Sequence, residues 1–258
     1  MTDSPKPILF EYPLTDRIRT LLRLEDVFDR LMFFRAGDSH HHHVCAVAML
    51  FDLLDISDRA DLRGDLQAEI ETQISALTAF RNLPSVSTET LDMLLTELNR
   101  CRDELTAMPG KPGVNLTEND WLMAVRSRIL IAGGAADYDM PSFWAWQNLP
   151  PEARRRDLDL WLEPFTPMRS ALRIHMRLLR ESGSWHALNA EDGTYQHSLG
   201  GEAYQLVQLK VDPRLSAIPD TSANKYLLWI RFNGMDGRNR PQPIRESVPF
   251  ELNLCSLQ

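Results

Sequence analysis

Cysteine is scarce in this sequence, and the cysteines present are widely separated. Cys45, Cys101 and Cys255 are an odd number of thiols, and no Cys-x-x-Cys pair occurs among them. Neither a disulfide framework nor a zinc ribbon is indicated, because both need paired cysteines at characteristic spacings. Free, buried thiols in a reducing compartment are the simplest interpretation.

Long apolar runs are also missing. No uncharged stretch approaches the roughly 20 apolar residues that a membrane-spanning helix needs. The opening segment, MTDSPKPILFEYP, lacks the apolar centre of a secretory signal peptide. We therefore expect a cytoplasmic protein that does not insert into membranes.

An excess of basic residues is absent as well. The chain has 28 Lys and Arg residues against 36 Asp and Glu, which gives a formal net charge of -8. This balance argues against a general nucleic-acid binder, which normally carries a large basic excess. With 258 residues, of which 43% are hydrophobic, the chain is long enough for one or two ordinary globular domains.

The motifs that mark many enzymes do not occur: there is no G-x-S-x-G, H-E-x-x-H, G-x-G-x-x-G or G-x-x-x-x-G-K-[ST]. We therefore expect no catalytic residue, no cofactor and no resident metal. The run His40–His43 leaves one alternative, a metal-dependent or small-molecule enzyme, because imidazole is a common metal ligand. Consecutive side chains point in different directions on a helix or strand, so a solvated helix start is the favoured interpretation.

Helical periodicity dominates residues 16–183. From Asp16 onward, apolar residues recur at spacings of three and four, and residues 62–80 and 91–105 repeat this pattern. These last two segments are expected to form an antiparallel helical hairpin. Further helices are predicted at Trp121–Ile129, after Pro141, after Pro151, and from Thr166 to the stop at Gly183.

Strand patterns follow Gly183. Strands are predicted at Trp185–Leu188, Thr194–Ser198, Tyr204–Val211, Tyr226–Phe232 and Val248–Leu254. The first two flank Glu191-Asp192-Gly193, which is a hairpin signal. A single strand at Ile8–Tyr12 has no partner in the helical region, so we expect it to join the C-terminal sheet. The sequence thus predicts an α+β fold: a mainly helical domain, residues 14–183, and a C-terminal antiparallel β-domain, residues 184–258, completed by an N-terminal strand in residues 1–13.

Arginines on the first predicted helix form one pattern of interest. Arg19 and Arg23 are four residues apart, and Arg30 falls on the same face. Asp16 and Asp26 are close enough to pair with them, so this face is either a solvated salt-bridge surface or a binding surface.

A second series, Arg169, Arg173, Arg177 and Arg180, has no acidic residue between Met168 and Arg180. It either pairs with Asp157, Asp159 and Glu163 from the preceding segment or faces something anionic. Further basic residues lie next to a predicted loop and a predicted strand. Arg126 and Arg128 precede the Gly133-Gly134 loop, and Lys225 and Arg231 lie just before and within the strand Tyr226–Phe232. Guanidinium groups bind carboxylates in bidentate fashion, so a peptide with acidic and apolar side chains is the natural ligand for such a surface.

Three stretches of the sequence form a recognisable set. They are ILFEYPLTDRIRTLLRLE at residues 8–25, LMAVRSRILIAGGAADYDMPSFWAWQNLP at residues 122–150, and YLLWIRF at residues 226–232 followed by FEL at residues 250–252. Together they resemble the ZapD family of bacterial division-ring proteins. The first is the most specific, because its spacing of Phe-Glu, Pro-Leu, Arg-Thr and Leu-Arg spans strand, turn and helix. The intervening helices match in pattern alone.

The resemblance implies a homodimeric adaptor that binds the C-terminal tail of the tubulin-like protein FtsZ. Such a dimer would cross-link FtsZ filaments into bundles at the midcell division ring. The basic positions that match the family's tail-binding residues are Arg19, Arg23, Arg126, Arg128, Lys225 and Arg231. No nucleic-acid partner is implied.

Overall fold

The computed structural model describes residues 5–59, 61–82 and 87–257. Helices α1 to α9 are Asp16–Ala36, His40–Arg59, Leu62–Ala79, Thr88–Ala107, Val114–Thr117, Asp120–Ile129, Pro141–Gln147, Pro151–Leu162 and Thr166–Glu181. Strands β1 to β8 are Ile8–Pro13, His186–Ala190, Thr194–Ser198, Leu206–Val211, Ile218–Ala223, Leu227–Met235, Pro241–Pro243 and Val248–Cys255. The predicted α+β fold, with helices ahead of antiparallel strands, is confirmed.

Backbone contacts divide the chain into two compact units. The sheet unit comprises Met1–Thr20 and Met176–Gln258, and the helical unit comprises Leu21–His175. The division falls inside α1 and inside α9, so each of these helices contributes residues to both units.

The sheet unit contains two antiparallel sheets. One has the strand order β1-β4-β8-β2, and the other has the order β3-β6-β5 with β7 also paired to β6. Strand β1 lies antiparallel to β4, with Ile8 opposite Val211 and Pro13 opposite Leu206. The prediction that the N-terminal strand completes the C-terminal sheet is therefore confirmed.

One hydrophobic core involves side chains from both sheets. Its centre includes Leu209 of β4, Ile230 and Phe232 of β6, and Phe250 of β8, all almost fully buried. The rings of Phe232 and Phe250 lie with centroids 5.2 Å apart. Because successive strand residues point to opposite faces, burial of Ile230 and Phe232 directs Arg231 between them to the surface.

The predicted hairpin over Glu191-Asp192-Gly193 is wrong. Strand β2 pairs with β8 and β3 pairs with β6, so the turn joins strands of different sheets. Asp192 and Gly193 both have positive φ, 51° and 66°. A Cβ at Gly193 would lie 2.2 Å from the carbonyl oxygen of Ile244, so only glycine fits this close approach. The two left-handed residues carry the chain from one sheet to the other instead of reversing it within one.

The last turns of α9 contribute to a polar network on the β1-β4-β8-β2 sheet. Arg180 donates two hydrogen bonds of 2.8 Å to the Glu11 carboxylate, and Gln208 Nε2 donates another of 2.8 Å. Asn253 Nδ2 donates to Gln208 Oε1 over 3.0 Å. Burial alone raises the pKa of Glu11, but the hydrogen bonds and charge of Arg180, with the Gln208 bond, hold the pKa below its usual value.

The helical unit packs α6, α7 and α8 against α2. Helices α3 and α4 lie side by side, and Gln67 near the start of α3 donates to Thr106 Oγ1 near the end of α4 over 3.0 Å. The predicted antiparallel helical hairpin is therefore confirmed, although its connection at residues 83–86 lies outside the described residues. Among the helices of the described part of the chain, none has the length and apolarity needed to cross a membrane.

Arg154 of α8 is buried without a carboxylate partner among the described residues. Its guanidinium donates to the backbone carbonyls of Asp38 (2.6 Å), Leu149 (2.8 Å) and Gln147, and to His43 Nδ1 over 2.7 Å. His43 is fully buried, and its Nε2 lies 3.3 Å from the carbonyl oxygen of Arg35. These distances fit a neutral imidazole that carries its proton on Nε2 and accepts at Nδ1.

Candidate functional site

The basic residues that the resemblance singled out divide equally between the units. Arg19, Lys225 and Arg231 belong to the sheet unit, and Arg23, Arg126 and Arg128 belong to the helical unit.

Arg231 lies on the outward face of the β3-β6-β5 sheet. Thr194 of β3 and Asp220 of β5 are its cross-strand neighbours, and all three residues are exposed. Trp229 is two residues away and half-buried, so it shares this face with Arg231. Asp220 offsets part of the positive charge, since opposite charges on facing strand positions attract.

Lys225 lies at the turn that leads into β6. It is exposed, and its ammonium group is 5.7 Å from the centroid of the Tyr226 ring, which is itself 61% exposed. With Trp229 and Arg231, these residues give the sheet unit two cations and two aromatic side chains at its surface. Cations near aromatic rings suit a ligand with both acidic and apolar groups.

Arg19, in the first turns of α1, has two weak partners within the sheet unit. Its guanidinium is 6.0 Å from the centroid of the Tyr12 ring and 3.9 Å from Asp16 Oδ1. Its side chain remains 43% exposed. A surface ion pair at this distance contributes little stability, so Arg19 is available to a stronger anionic partner.

Arg126 and Arg128 of α6 have different environments, and helix geometry explains the difference. Two residues correspond to about 200° around an α-helix, so the two side chains leave opposite sides. Arg126 is half-buried and pairs with Asp55 of α2. Arg128 is exposed and has no hydrogen bond or ion pair from its side chain to any described residue. The first arginine therefore helps to fix α6 on α2, whereas the second is free to bind a partner.

Arg23, on the helical-unit part of α1, resembles Arg128. It is exposed, and within residues 5–59, 61–82 and 87–257 its guanidinium has no hydrogen-bonding or ion-pairing partner. Arg30, by contrast, pairs with Asp26 at 2.7 Å. The predicted arginine face of α1 thus contains both a salt bridge and an unpaired cation.

The segment after α6, residues 130–138, presents apolar side chains that the sequence interpretation did not single out. Leu130, Ile131 and Tyr138 are 77%, 53% and 79% exposed. The Gly133-Gly134 pair shapes this segment: Gly133 has φ of 73°, and a Cβ at Gly134 would lie 2.5 Å from the carbonyl oxygen of Arg128. The sequence signal that could have found this segment is the position of Leu130 and Ile131 directly before the Gly133-Gly134 pair, which places apolar residues in a turn.

The histidine run is not uniformly solvated, so that interpretation is wrong for its last member. His41 is exposed and lies 3.9 Å, centroid to centroid, from His40, whereas His43 is buried with both ring nitrogens in contact with Arg154 and Arg35. The described residues contain no group of three or more His, Cys, Asp or Glu side chains that could hold a metal ion. Because both ring nitrogens of His43 already contact other groups of the protein, neither is available to bind a metal ion.

The arginine series on α9 has a different arrangement from the pairs considered in the sequence. Arg180 pairs with Glu11, and Asp159, one of its expected partners, pairs instead with Arg35. Arg169 and Arg173 are exposed and form no ion pair with any residue that the structure describes. Part of the series is therefore internal, and part is open to solvent.

An α+β chain that sets unpaired arginines beside exposed apolar side chains has the features of a protein that binds other proteins through its surface. The chain belongs to the ZapD family: the family profile, described as a cell division protein, matches residues 22–231. The cell division protein ZapD of Janthinobacterium sp. (strain Marseille) is 46% identical over 249 residues, which cover 96% of this chain and 99% of the relative. The family resemblance is thereby confirmed, and it gives the chain a role in cell division.

Proposed function

We propose that this chain is a non-enzymatic adaptor of the division ring. As a homodimer in the cytoplasm, it binds the C-terminal tail of FtsZ and cross-links FtsZ filaments into bundles at midcell. The residues assigned to tail binding are Arg19, Arg23, Arg126, Arg128, Lys225 and Arg231, of which Arg126 acts by positioning α6.

The observation that carries this proposal is the position of Arg128 directly before the exposed apolar residues of the 130–138 segment. An unpaired guanidinium next to exposed Leu130 and Ile131 matches a peptide that combines carboxylates with apolar side chains. When such a peptide covers the apolar residues, it removes water from the ion pair, and the attraction between the charges becomes stronger. Charge and apolar burial then favour the same ligand.

The remaining basic residues support the same chemistry in different ways. In the sheet unit, Lys225 and Arg231 lie among Tyr226 and Trp229, so they offer cations beside aromatic surface. In the helical unit, Arg126 is held by Asp55, which suits a residue that positions α6 and the segment that follows it.

Dimerisation follows from the bridging role. An adaptor with one tail site per chain needs two chains to join two filaments. Two weak contacts then act together, because the second forms at a high effective concentration once the first is made. Light scattering at micromolar concentration checks this point, and a chain that remains monomeric there would contradict the proposal.

Filament pelleting tests the binding residues. The chain should pellet with full-length FtsZ and bundle it, and it should fail with FtsZ that lacks its C-terminal tail. Arg128→Glu, and the double change Arg19→Glu with Arg23→Glu, should raise the concentration needed for bundling by about tenfold or more, because loss of a desolvated ion pair costs a few kcal/mol. Added salt should weaken the wild-type interaction, since exposed charges are screened.

Arg238→Glu is the matched control for charge. Arg238 is exposed in the loop after β6 and lies outside the assigned site, yet its reversal changes net charge by the same amount as Arg128→Glu does. It should leave bundling unchanged. If the Arg128 and Arg19/Arg23 variants are folded, dimeric and still bundle at the wild-type concentration, the site assignment is wrong.

A further inference from the structure

The helical unit contains a cleft that the proposed FtsZ-binding residues do not use. Its volume is about 510 Å³, within the range of ligand-binding pockets. Residues of α1, α8 and α9 line it, together with the short turn between α8 and α9. Its apolar lining comprises Phe28, Met32, Leu160, Leu162 and Phe165, of which Phe28 and Phe165 are almost fully buried and form the floor.

Arg156 and Arg169 also line this cleft. Both are exposed, and neither side chain has a hydrogen bond or ion pair to any residue of the described ranges. The Asp159 carboxylate in the lining is already occupied by Arg35, whose Nε donates to it over 2.6 Å. Glu163 is the remaining carboxylate of the lining. The cleft thus keeps one excess positive charge in a chain whose formal net charge is -8.

Leu160 extends the apolar surface beyond the cleft. Its side chain is 63% exposed and also lines a neighbouring groove of about 850 Å³, together with Trp161, Pro164 and Pro167. Leu160 is therefore shared by the cleft and the groove. A compact small molecule that fills the cleft would leave the apolar surface of the groove in water, whereas a peptide segment would cover both, so the continuous surface favours a peptide.

We propose that this cleft binds an acidic, apolar peptide segment of a partner protein. Apolar side chains of the peptide lie on the accessible apolar residues Met32, Leu160 and Leu162. Its carboxylates bind Arg156 and Arg169. Guanidinium groups bind carboxylates strongly and in a defined orientation, and the apolar floor excludes water from the pairs. The cleft is lined by none of the residues assigned to FtsZ binding, so this proposal does not depend on that function. Peptide binding to the cleft can be measured with this chain alone.

Peptide titration tests the cleft directly. The probe is a fluorescein-labelled octapeptide of leucine, phenylalanine and aspartate, and its fluorescence anisotropy is measured as the full chain is added. The wild type should bind saturably, and Arg156→Glu with Arg169→Glu should weaken binding at least tenfold. Arg169→Glu alone should also weaken binding. Arg173→Glu is the control matched in charge to that single change, because Arg173 lies one turn further along α9, is exposed and does not line the cleft. It should bind the probe as the wild type does.

Three further measurements separate the proposed site from general charge attraction. A probe with asparagine in place of aspartate, and one with serine in place of leucine and phenylalanine, should each bind at least tenfold more weakly. Glu163→Gln should tighten binding about twofold, because it removes the carboxylate that repels the peptide. Leu160→Ser should weaken binding without loss of fold, since Leu160 is largely exposed.

Circular dichroism confirms that each variant is folded before it is titrated. The proposal is overturned if the wild type does not bind the probe. It is equally overturned if the Arg156/Arg169 variant binds as tightly as the wild type, or if Arg173→Glu weakens binding as much as that variant does.

Discussion

Each unit of this chain has an arginine that is shielded from water, Arg154 almost fully and Arg180 in part, and the two units compensate its charge differently. In the sheet unit, Arg180 pairs with a carboxylate, Glu11, through two hydrogen bonds of 2.8 Å. In the helical unit, Arg154 is bound by three backbone carbonyls and the neutral ring of His43. Burial lowers the pKa of Arg154, whereas the Glu11 pKa is held down by its partner.

The difference shows two ways to keep a cation out of water. An ion pair cancels the charge, but it leaves a buried carboxylate if the arginine is lost. A shell of carbonyl dipoles leaves the charge in place and ties together the backbone segments that supply the oxygens. Arg154 joins Asp38, before α2, to Gln147 and Leu149, around the end of α7. It therefore acts as a cross-link between segments rather than as half of a salt bridge.

Loss of the Arg154 guanidinium should give the largest decrease in the free energy of unfolding. Arg154→Met leaves the carbonyl of buried Gln147 and the Nδ1 atom of fully buried His43 without donors, and each unsatisfied buried group costs about 1–3 kcal/mol. We expect the free energy of unfolding in urea to fall by about 4 kcal/mol in all. Arg156→Met, two residues away on the same helix but exposed, should change it by less than about 0.5 kcal/mol. Equal effects of the two changes would refute the cross-linking role.

Loss of the Arg180–Glu11 ion pair in the sheet unit should lower the free energy of unfolding by less, and the two single variants should not be additive. Glu11→Leu alone and Arg180→Met alone should each destabilise by about 2 kcal/mol, less than for a fully buried pair because both side chains keep some exposure. The double variant should lose much less than the sum, since it leaves no unpaired charge. Urea unfolding of all four proteins measures this coupling, and strictly additive losses would contradict it.

Acid should weaken the two networks in different pH ranges. Burial and the charge of Arg154 lower the pKa of His43 from 6.5, so the unfolded chain takes up this proton first as pH falls. Stability is therefore lost below pH 6.5, by at most about 1.4 kcal/mol per pH unit. The lowered pKa of Glu11 acts in the same direction, but below its ordinary value of 4.5.

Substitution of His43 isolates the first pH range. His43→Gln keeps an acceptor for Arg154 but cannot titrate, so the difference in unfolding free energy between pH 7 and pH 5.5 should become smaller than in the wild type. His41→Gln, at an exposed position of the same run, should leave that difference unchanged. The hypothesis fails if both variants retain the wild-type pH dependence.

The smallest effect concerns the partly exposed pair of Arg126 and Asp55. Their side chains are 30% and 42% exposed. Arg126→Gln should therefore destabilise by about 0.5 kcal/mol, as surface ion pairs usually contribute less than 1 kcal/mol. Thermal unfolding measures this, and a loss comparable to that of Arg154→Met would place Arg126 among the buried cross-links.

Periodicity and turn residues were sufficient to predict the long helices, the strand-rich C-terminal region and the N-terminal strand, but not the short helix Val114–Thr117. Strand β5, Ile218–Ala223, was missed because its IPDTSA sequence contains Pro219 and Asp220, which are depleted in strands. Proline is tolerated there because β5 is an edge strand, paired with β6 alone among the described strands. The turn at Glu191-Asp192-Gly193 was predicted, but the pairing of the strands on its two sides was not. Strand β2 pairs with β8 and β3 with β6, and these partners lie far along the chain.

The sites were less predictable, for a related reason. Sequence identifies arginines, but whether an arginine is free depends on residues far along the chain. Arg126 and Arg128 look equivalent in sequence, yet Asp55 holds one of them and the other is unpaired. Likewise, Arg169 and Arg180 belong to one series, and Glu11 removes only Arg180 from the exposed surface. Pairings over such separations leave no local signal.

The pairing of β1 with β4 has a consequence during synthesis. Glu11 and Gln208, which hydrogen-bond across these strands, are 197 residues apart. At about 5–20 residues per second, a ribosome needs roughly 10–40 s to make the segment between them. During this time the first strand has no partner. Residues 21–175 are completed before Gln208 is made, so they can fold while the first strand is still unpaired. Newly made chains therefore carry an unpaired strand that other chains or a chaperone can capture before the last strands emerge.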